Sequence, residues 1–346
     1  MTTKKKSAPS RKPINLALQG GGAHGAFTWG VLDYFLEHGG IEIEAVSGTS
    51  AGAMNAVVVA DGLMKGGEDK ARAALRDFWR AVSDAGRSSP IQRAPIDVFM
   101  GNWSLDTSPS YLFFDLLNRV ASPYELNPLN LNPLRDLVAA QVDFESVRAC
   151  DKVKLFISAT NVETGRVKVF RRAELTADAI MASACLPFMF QAVEIDGVPY
   201  WDGGYMGNPA LFPFFRGCAS RDVVIVQINP ILRQGTPRSA REILNRVNEI
   251  TFNASLLREF RAINFVSRLI EEGKLDADDY RQVLVHLVSA DEHLNPLGAS
   301  SKLNAEWAFL THLFEIGREA AGRWCDSHYD SLGARSTVEL RSLFQD

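Results

Sequence analysis

Two glycine-marked turns stand close together near the start of the chain, and each separates a short apolar run from a stretch of helical periodicity. Ile14 to Leu18 runs into the glycines of QGGGAHGAF. After them comes AFTWGVLDYFLEHGG, whose Phe27, Val31, Tyr34 and Phe35 recur at helical spacing before a stop at Gly39-Gly40. The order then repeats, with Ile43 to Val46 as a strand, a turn at Ser50 between Gly48 and Gly52, and a helix from about Ala51 to Leu63. A strand that returns through a helix to lie beside its predecessor makes a parallel pair with the helix across one face. Two such units in succession place the chain in the α/β class, with a mostly parallel central sheet.

The remaining patterns extend that sheet. KVKLFISATNV and GRVKVF read as strands, AVEIDGVPYW as a hairpin turned at Asp196-Gly197, and DVVIVQINP as a buried parallel strand. Helical patterns at 239–272 and 301–329 enclose one more strand, RQVLVHLVS. Between 88 and 133 the texture changes: Pro90, Pro95, Pro109, Pro123, Pro128 and Pro133 punctuate Trp103, Tyr111, Phe113, Phe114 and Tyr124. Little regular structure is expected there. Such an insertion suits a lid or an apolar substrate wall as well as it suits an ordinary packed excursion. The chain is expected to divide into a basic tail at 1–13, a main unit at 14–230 carrying the insertion, and a C-terminal extension at 231–346 packed on the same domain.

Composition narrows the function classes. With 37 basic and 41 acidic side chains the formal charge is -4, which argues against nucleic acid as a partner, since phosphate binding wants a basic face. Cys150, Cys185, Cys218 and Cys325 are widely spaced, without a CxxC pair, so a reducing cytoplasm is the expected compartment. No run approaches the roughly 18 apolar residues of a membrane span. Lys4, Lys5, Lys6, Arg11 and Lys12 read first as a solvated, disordered tail. Peripheral contact with anionic lipid is the second reading.

Three motifs carry chemistry. Gly48-Thr49-Ser50-Ala51-Gly52 fits G-x-S-x-G, a strained turn that holds a serine hydroxyl clear of the backbone at a helix N-terminus; the bland alternative is a helix N-cap. Gly20, Gly22 and Gly25 fit G-x-G-x-x-G. A dinucleotide site would need an acidic residue at the end of the next strand, and Glu42 and Glu44 sit at its start instead; no GK[ST] follows for a P-loop. The alternative is that the Gly21 and Gly22 N–H groups form an oxyanion hole facing Ser50. Finally, YWDGGYMGNPAL offers Asp202 followed by Gly203 and Gly204, either a turn aspartate or a base whose proton affinity is raised by desolvation. Among six histidines, His293 alone is placed like the histidine of an α/β-hydrolase.

Taken together, and in this order, the motifs resemble the patatin-like phospholipase family over roughly Ile14 to Pro230. The resemblance implies a three-layer α/β/α sandwich and hydrolysis of lipid esters with no metal or organic cofactor. It makes Ser50 the nucleophile, Asp202 its base in a Ser-Asp dyad, and Gly20, Gly21, Gly22 and Gly25 the oxyanion loop, with Gly48, Gly52, Gly203 and Gly204 supporting the motifs. One position departs: His24 stands where the family usually has Arg or Lys. A histidine with a reference pKa of about 6.5 is charged only part of the time near neutrality, so a pH-dependent oxyanion site is expected. Two other classes compete with this one. The first is an α/β-hydrolase with a Ser50, Asp202, His293 triad, against which stands the single strand and helix before the elbow. The second is a non-catalytic protein that binds a lipid surface or polymer granule.

Overall fold

The computed structural model describes residues 11–276 and 279–344. Its strands are β1 (Lys12–Leu18), β2 (Ile41–Gly48), β3 (Lys154–Asn161), β4 (Val167–Arg171), β5 (Val193–Ile195), β6 (Val198–Asp202), β7 (Asp222–Val226) and β8 (Leu284–Val288). They form one eight-stranded sheet in the order β5-β6-β3-β2-β1-β7-β8, with β4 paired to β3 off that path. From β3 through β2, β1 and β7 to β8 all pairings are parallel. The pairs β3–β4, β3–β6 and β5–β6 are antiparallel.

Alternation along the strands makes the layers. In β1, Ile14, Leu16 and Leu18 join the larger core, while Ala17 turns to the smaller; in β7, Val224 and Val226 oppose Val223 and Ile225 in the same way. The larger core is covered by α1 (Gly25–His38), α2 (Ala51–Gly86) and, from the far end of the chain, a long C-terminal helix at 307–328. The expected three-layer α/β/α sandwich is what the chain forms. The helix after Ser50 runs past Leu63 to Gly86 because only a kink at Gly66-Gly67, with Gly67 at φ 76°, interrupts it.

The 88–133 region is not the loop expected from its prolines. It holds α3 (Pro95–Phe99), α4 (Pro109–Val120) and α5 (Pro123–Leu126), and Pro133 opens α6 (Pro133–Gln141). Each helix begins on a proline, where the missing N–H has no intrahelical partner to lose and the fixed φ suits the first turn. The prolines start helices here. Short helices α7 (Phe144–Ala149), α8 (Ala177–Ser183) and α9 (Phe212–Gly217) follow between strands, and α10 (Ala240–Glu271) covers the smaller core. After β8 come α11 (Asp291–Leu294) and α12 (Trp307–His328), the C-terminal helix above; it starts later than the pattern from 301 suggested because Ala299–Leu303 forms a separate 3-10 turn.

The N-terminal strand also begins earlier than the expected tail boundary. Lys12 is its first residue and donates through Nζ to the carbonyls of Tyr329 and Leu332, while Arg11 pairs with Glu68. Lys4, Lys5 and Lys6 lie outside the described residues.

Candidate functional site

Ser50 links the C-terminal end of β2 to the N-terminus of α2 at φ 54° and ψ -120°. A side-chain-bearing residue at positive φ stores strain of about 1–3 kcal/mol that its surroundings must hold. Those surroundings are glycine. A Cβ on Gly52 would collide with the Leu18 carbonyl, and one on Gly48 would stand 2.7 Å from the Gly52 carbonyl oxygen. The Ser50 N–H donates to Ser183 Oγ at 2.9 Å, which fixes the backbone and leaves the hydroxyl free to face elsewhere.

It faces Asp202, whose proton affinity the neighbouring Ser50 hydroxyl lowers. Asp202 ends β6, is 1% exposed, and accepts the Gly204 N–H at 2.6 Å through Oδ1. Its own backbone is clamped, the N–H by the Cys185 carbonyl at 2.7 Å and the carbonyl by Thr160 Oγ1 at 2.8 Å. Gly203 presses on the Ser158 carbonyl and Gly204 on the Phe252 ring, so neither position has room for a side chain. The segment after Asp202 is tied to the elbow as well: Thr49 Oγ1 donates to the Gly207 carbonyl and Ser47 Oγ to that of Ala210, both at 2.6 Å. Burial raises the Asp202 pKa to about 7, against the lowering influence of the Gly204 N–H, the Ser50 hydroxyl and Lys302.

The glycine-rich loop lies on the elbow. A Cβ on Gly20 would stand 2.8 Å from that of Ser50, and one on Gly25 2.6 Å from that of Ala51. The loop's N–H groups are not equivalent. That of Gly20 donates to Asn208 Oδ1 at 2.7 Å, and that of Gly25 to the Ala23 and Gly22 carbonyls. No acceptor among the described residues takes up the N–H of Gly21 or Gly22. Two amides the motif does not reveal hold this shape: Asn208, and Asn229, which donates to the Gly20 carbonyl at 2.8 Å.

His24 departs from expectation. It is buried, its Nε2 lies 2.8 Å from Ser301 Oγ, and its ring meets Phe309 edge-on. Burial and the neighbouring Lys302 push its pKa down to about 3, so it is neutral throughout the physiological range and does not titrate near 6.5. The charge near the loop belongs to Lys302, from the 3-10 turn 299–303, which no sequence motif marked.

The other histidines stand apart. His293 is exposed in α11, with Nε2 3.5 Å from Glu292. That helix follows β8, three strand spacings from β2, roughly 14 Å across the sheet; the structure does not bring His293 to Ser50. His286 is buried in β8 against Asp222, the first residue of β7, at 2.9 Å and Thr337 at 3.1 Å. No group of three or more His, Cys, Asp or Glu side chains gathers among the described residues to hold a metal ion.

A parallel α/β/α sandwich with a strained serine after its second strand, faced by a buried aspartate and roofed by a glycine loop, defines a narrow class of proteins. The chain belongs to the patatin-like phospholipase family, whose pattern matches residues 16–215, more than half of its length, including the glycine loop, Ser50 and Asp202. Among solved structures it is similar to VipD from Legionella pneumophila, with 16% identity, a TM-score of 0.39, and coverage of 93% of this chain and 68% of that one. It is also similar to ExoU from Pseudomonas aeruginosa in its complex with SpcU, with 18% identity, a TM-score of 0.41, and coverage of 94% of this chain and 53% of that one. This chain therefore spans about half the length of ExoU. No curated protein sequence matches it. No helix among the described residues is long and apolar enough to cross a membrane.

Proposed function

We propose that the protein is a serine acyl hydrolase acting on the ester bonds of phospholipids or related lipids through Ser50 and Asp202. The observation that carries this reading is the Ser50 hydroxyl set against a buried carboxylate whose pKa burial raises to about 7. An ordinary aspartate is too weak a base to draw a proton from a hydroxyl, and the raised affinity brings Asp202 near the working pH. Ser50 Oγ attacks the ester carbonyl while Asp202 accepts its proton. The negative charge that forms on the ester oxygen falls to the unoccupied N–H groups of Gly21 and Gly22. Collapse of the tetrahedral intermediate breaks the ester C–O bond, and the departing alcohol takes the proton held by Asp202. Water then attacks the acyl-serine with Asp202 again as base, returning Ser50 and releasing the fatty acid. No step calls on a metal or organic cofactor.

The lipid substrate class is supported by the helical insertion. Phe99, Met100, Phe113, Leu116, Val120 and Leu129 are all more than half exposed, and exposed apolar side chains gathered on one insertion of the chain suit an acyl chain or a lipid surface. The same side chains also suit work at the periphery of a membrane. The test is a phospholipid and lysophospholipid panel read by mass spectrometry, with Ser50→Ala as blank, alongside labelling by a fluorophosphonate. Fatty acid release and a single label, both lost in Ser50→Ala, are the expected result. A wild-type protein that neither labels nor releases fatty acid is a binding module.

A further inference from the structure

The site contains a cation that the motifs do not supply. Lys302 sits in the 3-10 turn 299–303, which packs on the Gly22–His24 turn so tightly that a Cβ on Gly22, at φ 57°, would strike the Lys302 carbonyl. Its Nζ donates to Asn229 Oδ1 at 2.7 Å, and the same amide donates to the Gly20 carbonyl at 2.8 Å. Nζ also stands 5.9 Å over the Phe252 ring, the ring that covers Gly204 beside Asp202. The ammonium is thus wedged between the glycine loop and the Asp202 turn. Among the described residues no carboxylate lies within ion-pair distance of it; the nearby Glu249 is taken by Arg233 at 2.6 Å and Arg246 at 3.2 Å. A half-buried ammonium whose hydrogen-bond partner is a neutral amide is only partly compensated, so its placement calls for another reason.

We propose that Lys302 is a positioning residue for the hydrolysis proposed above: its charge holds Asp202 in the ionised form and favours negative charge at the oxyanion loop. The inference rests on the hydrolase reading for its catalytic consequence, though its electrostatic core can be measured without turnover. The groups that face Lys302 are Asp202 on β6, Glu249 on α10, Arg233 in the loop after β7, and His24. Tyr205 and Cys185 are neighbours of Asp202, and each is pushed up to about 12, first by burial and also by the Asp202 charge. Burial brings Lys302 itself down to about 8, with Arg233 lowering it further and Glu249 and Asp202 opposing. Asp202 must lose a proton near 7 to act as base, and Lys302 loses its own near 8. The working window therefore opens on the first titration and closes on the second.

The experiment compares wild type, Lys302→Met and Lys302→Arg. One readout is the titration of Asp202 by carboxyl carbon NMR on aspartate-labelled protein; the other is kcat/KM against pH for a soluble short-chain ester. Removing an opposite charge raises a carboxyl pKa, by about one unit or more where that charge stands within about 4–6 Å. Lys302→Met should therefore shift the Asp202 midpoint upward by about one unit and cut kcat/KM at pH 6 by about tenfold. In Lys302→Arg the midpoint should stay within a few tenths of wild type and the alkaline fall near pH 8 should disappear, because the guanidinium does not deprotonate there. An Asp202 midpoint in Lys302→Met equal to that of wild type overturns the proposal. So does an alkaline limb that persists unchanged in Lys302→Arg, which covers the case in which the methionine variant fails to fold. A wild type without esterase activity defeats the hydrolase reading, while the Asp202 titration still decides the role of Lys302.

Discussion

Two buried carboxylates in this molecule have opposite surroundings. Asp33 on α1 receives Arg72 from α2, with Nε 2.9 Å from Oδ1, and Arg318 from α12, and the same arginines reach Glu37. Three helices are thereby pinned together over the larger core. Asp202 lies on the sheet beneath the glycine loop and has one backbone N–H, one serine hydroxyl and an ammonium held back behind Asn229. The first carboxylate is fully answered as an anion and ties helices together. The second is left short of partners, so it holds a proton more tightly than an aspartate in water does. A structural acid and the carboxylate proposed as a base differ here in what surrounds them, not in residue type.

The largest test of this contrast is a pair of isosteric changes. Asp202→Asn should reduce hydrolysis of a soluble ester to the level of Ser50→Ala, and the two losses should not add in the double variant, because one proton transfer is removed either way. Its stability should move in the other direction. The folded pKa, about 7, lies above the ordinary aspartate value of 3.8, so the folded state binds the proton more tightly, and stability falls as pH rises through 7. At pH 8 Asp202→Asn should melt a few degrees above wild type; a lower melting point would mean that the site is not strained in charge. Next comes Gly21→Val. A Cβ there already lies 2.9 Å from Ile228 Cγ2, so the loop must shift and its free donors with it. A loss of about 100- to 1,000-fold in kcat is expected, and unchanged turnover would remove the loop from the mechanism.

Smaller effects sharpen the same contrast. Below pH 7, kcat/KM should fall about tenfold per unit as Asp202 takes up its proton; an acid limb near pH 4 would mean that burial does not control this carboxyl. Asp33→Asn should cost about 2 kcal/mol in denaturant unfolding, since two guanidinium groups lose their charged acceptor, yet leave kcat per folded molecule unchanged. A fall in kcat equal to that of Asp202→Asn would erase the distinction between the two regions. The smallest change is removal of residues 1–10, which stops short of Lys12 in β1. Soluble-ester turnover should be unchanged, while binding to anionic vesicles at low salt weakens by about 1 kcal/mol for each of Lys4, Lys5 and Lys6. Equal vesicle binding with and without the segment would leave those lysines without a membrane role.

The strands, the two glycine turns and the serine and aspartate were legible in the sequence because each is encoded within a few residues. Period-two alternation marks a strand, helical spacing marks α1, and a serine between glycines at a strand-to-helix turn has few other uses. The prolines of the insertion misled because proline at a helix start and proline in a loop look alike without the neighbouring backbone. His24 misled for a different reason. Its pKa depends on burial and on a lysine 278 positions away in sequence, neither of which a local pattern records.

What the sequence determined by itself was therefore the fold class and the family, and with them the serine and the aspartate proposed to react, all of which rest on short-range spacing. The tertiary structure decided their electrical setting. Only folding brings Lys302 and Asn229, both beyond the segment that carries the family pattern, against a loop at residues 20–22, and only burial moves Asp202 to about 7 and His24 to about 3. Proton affinity depends on solvent exclusion and on charges gathered from the whole chain, and those are properties of the packed molecule.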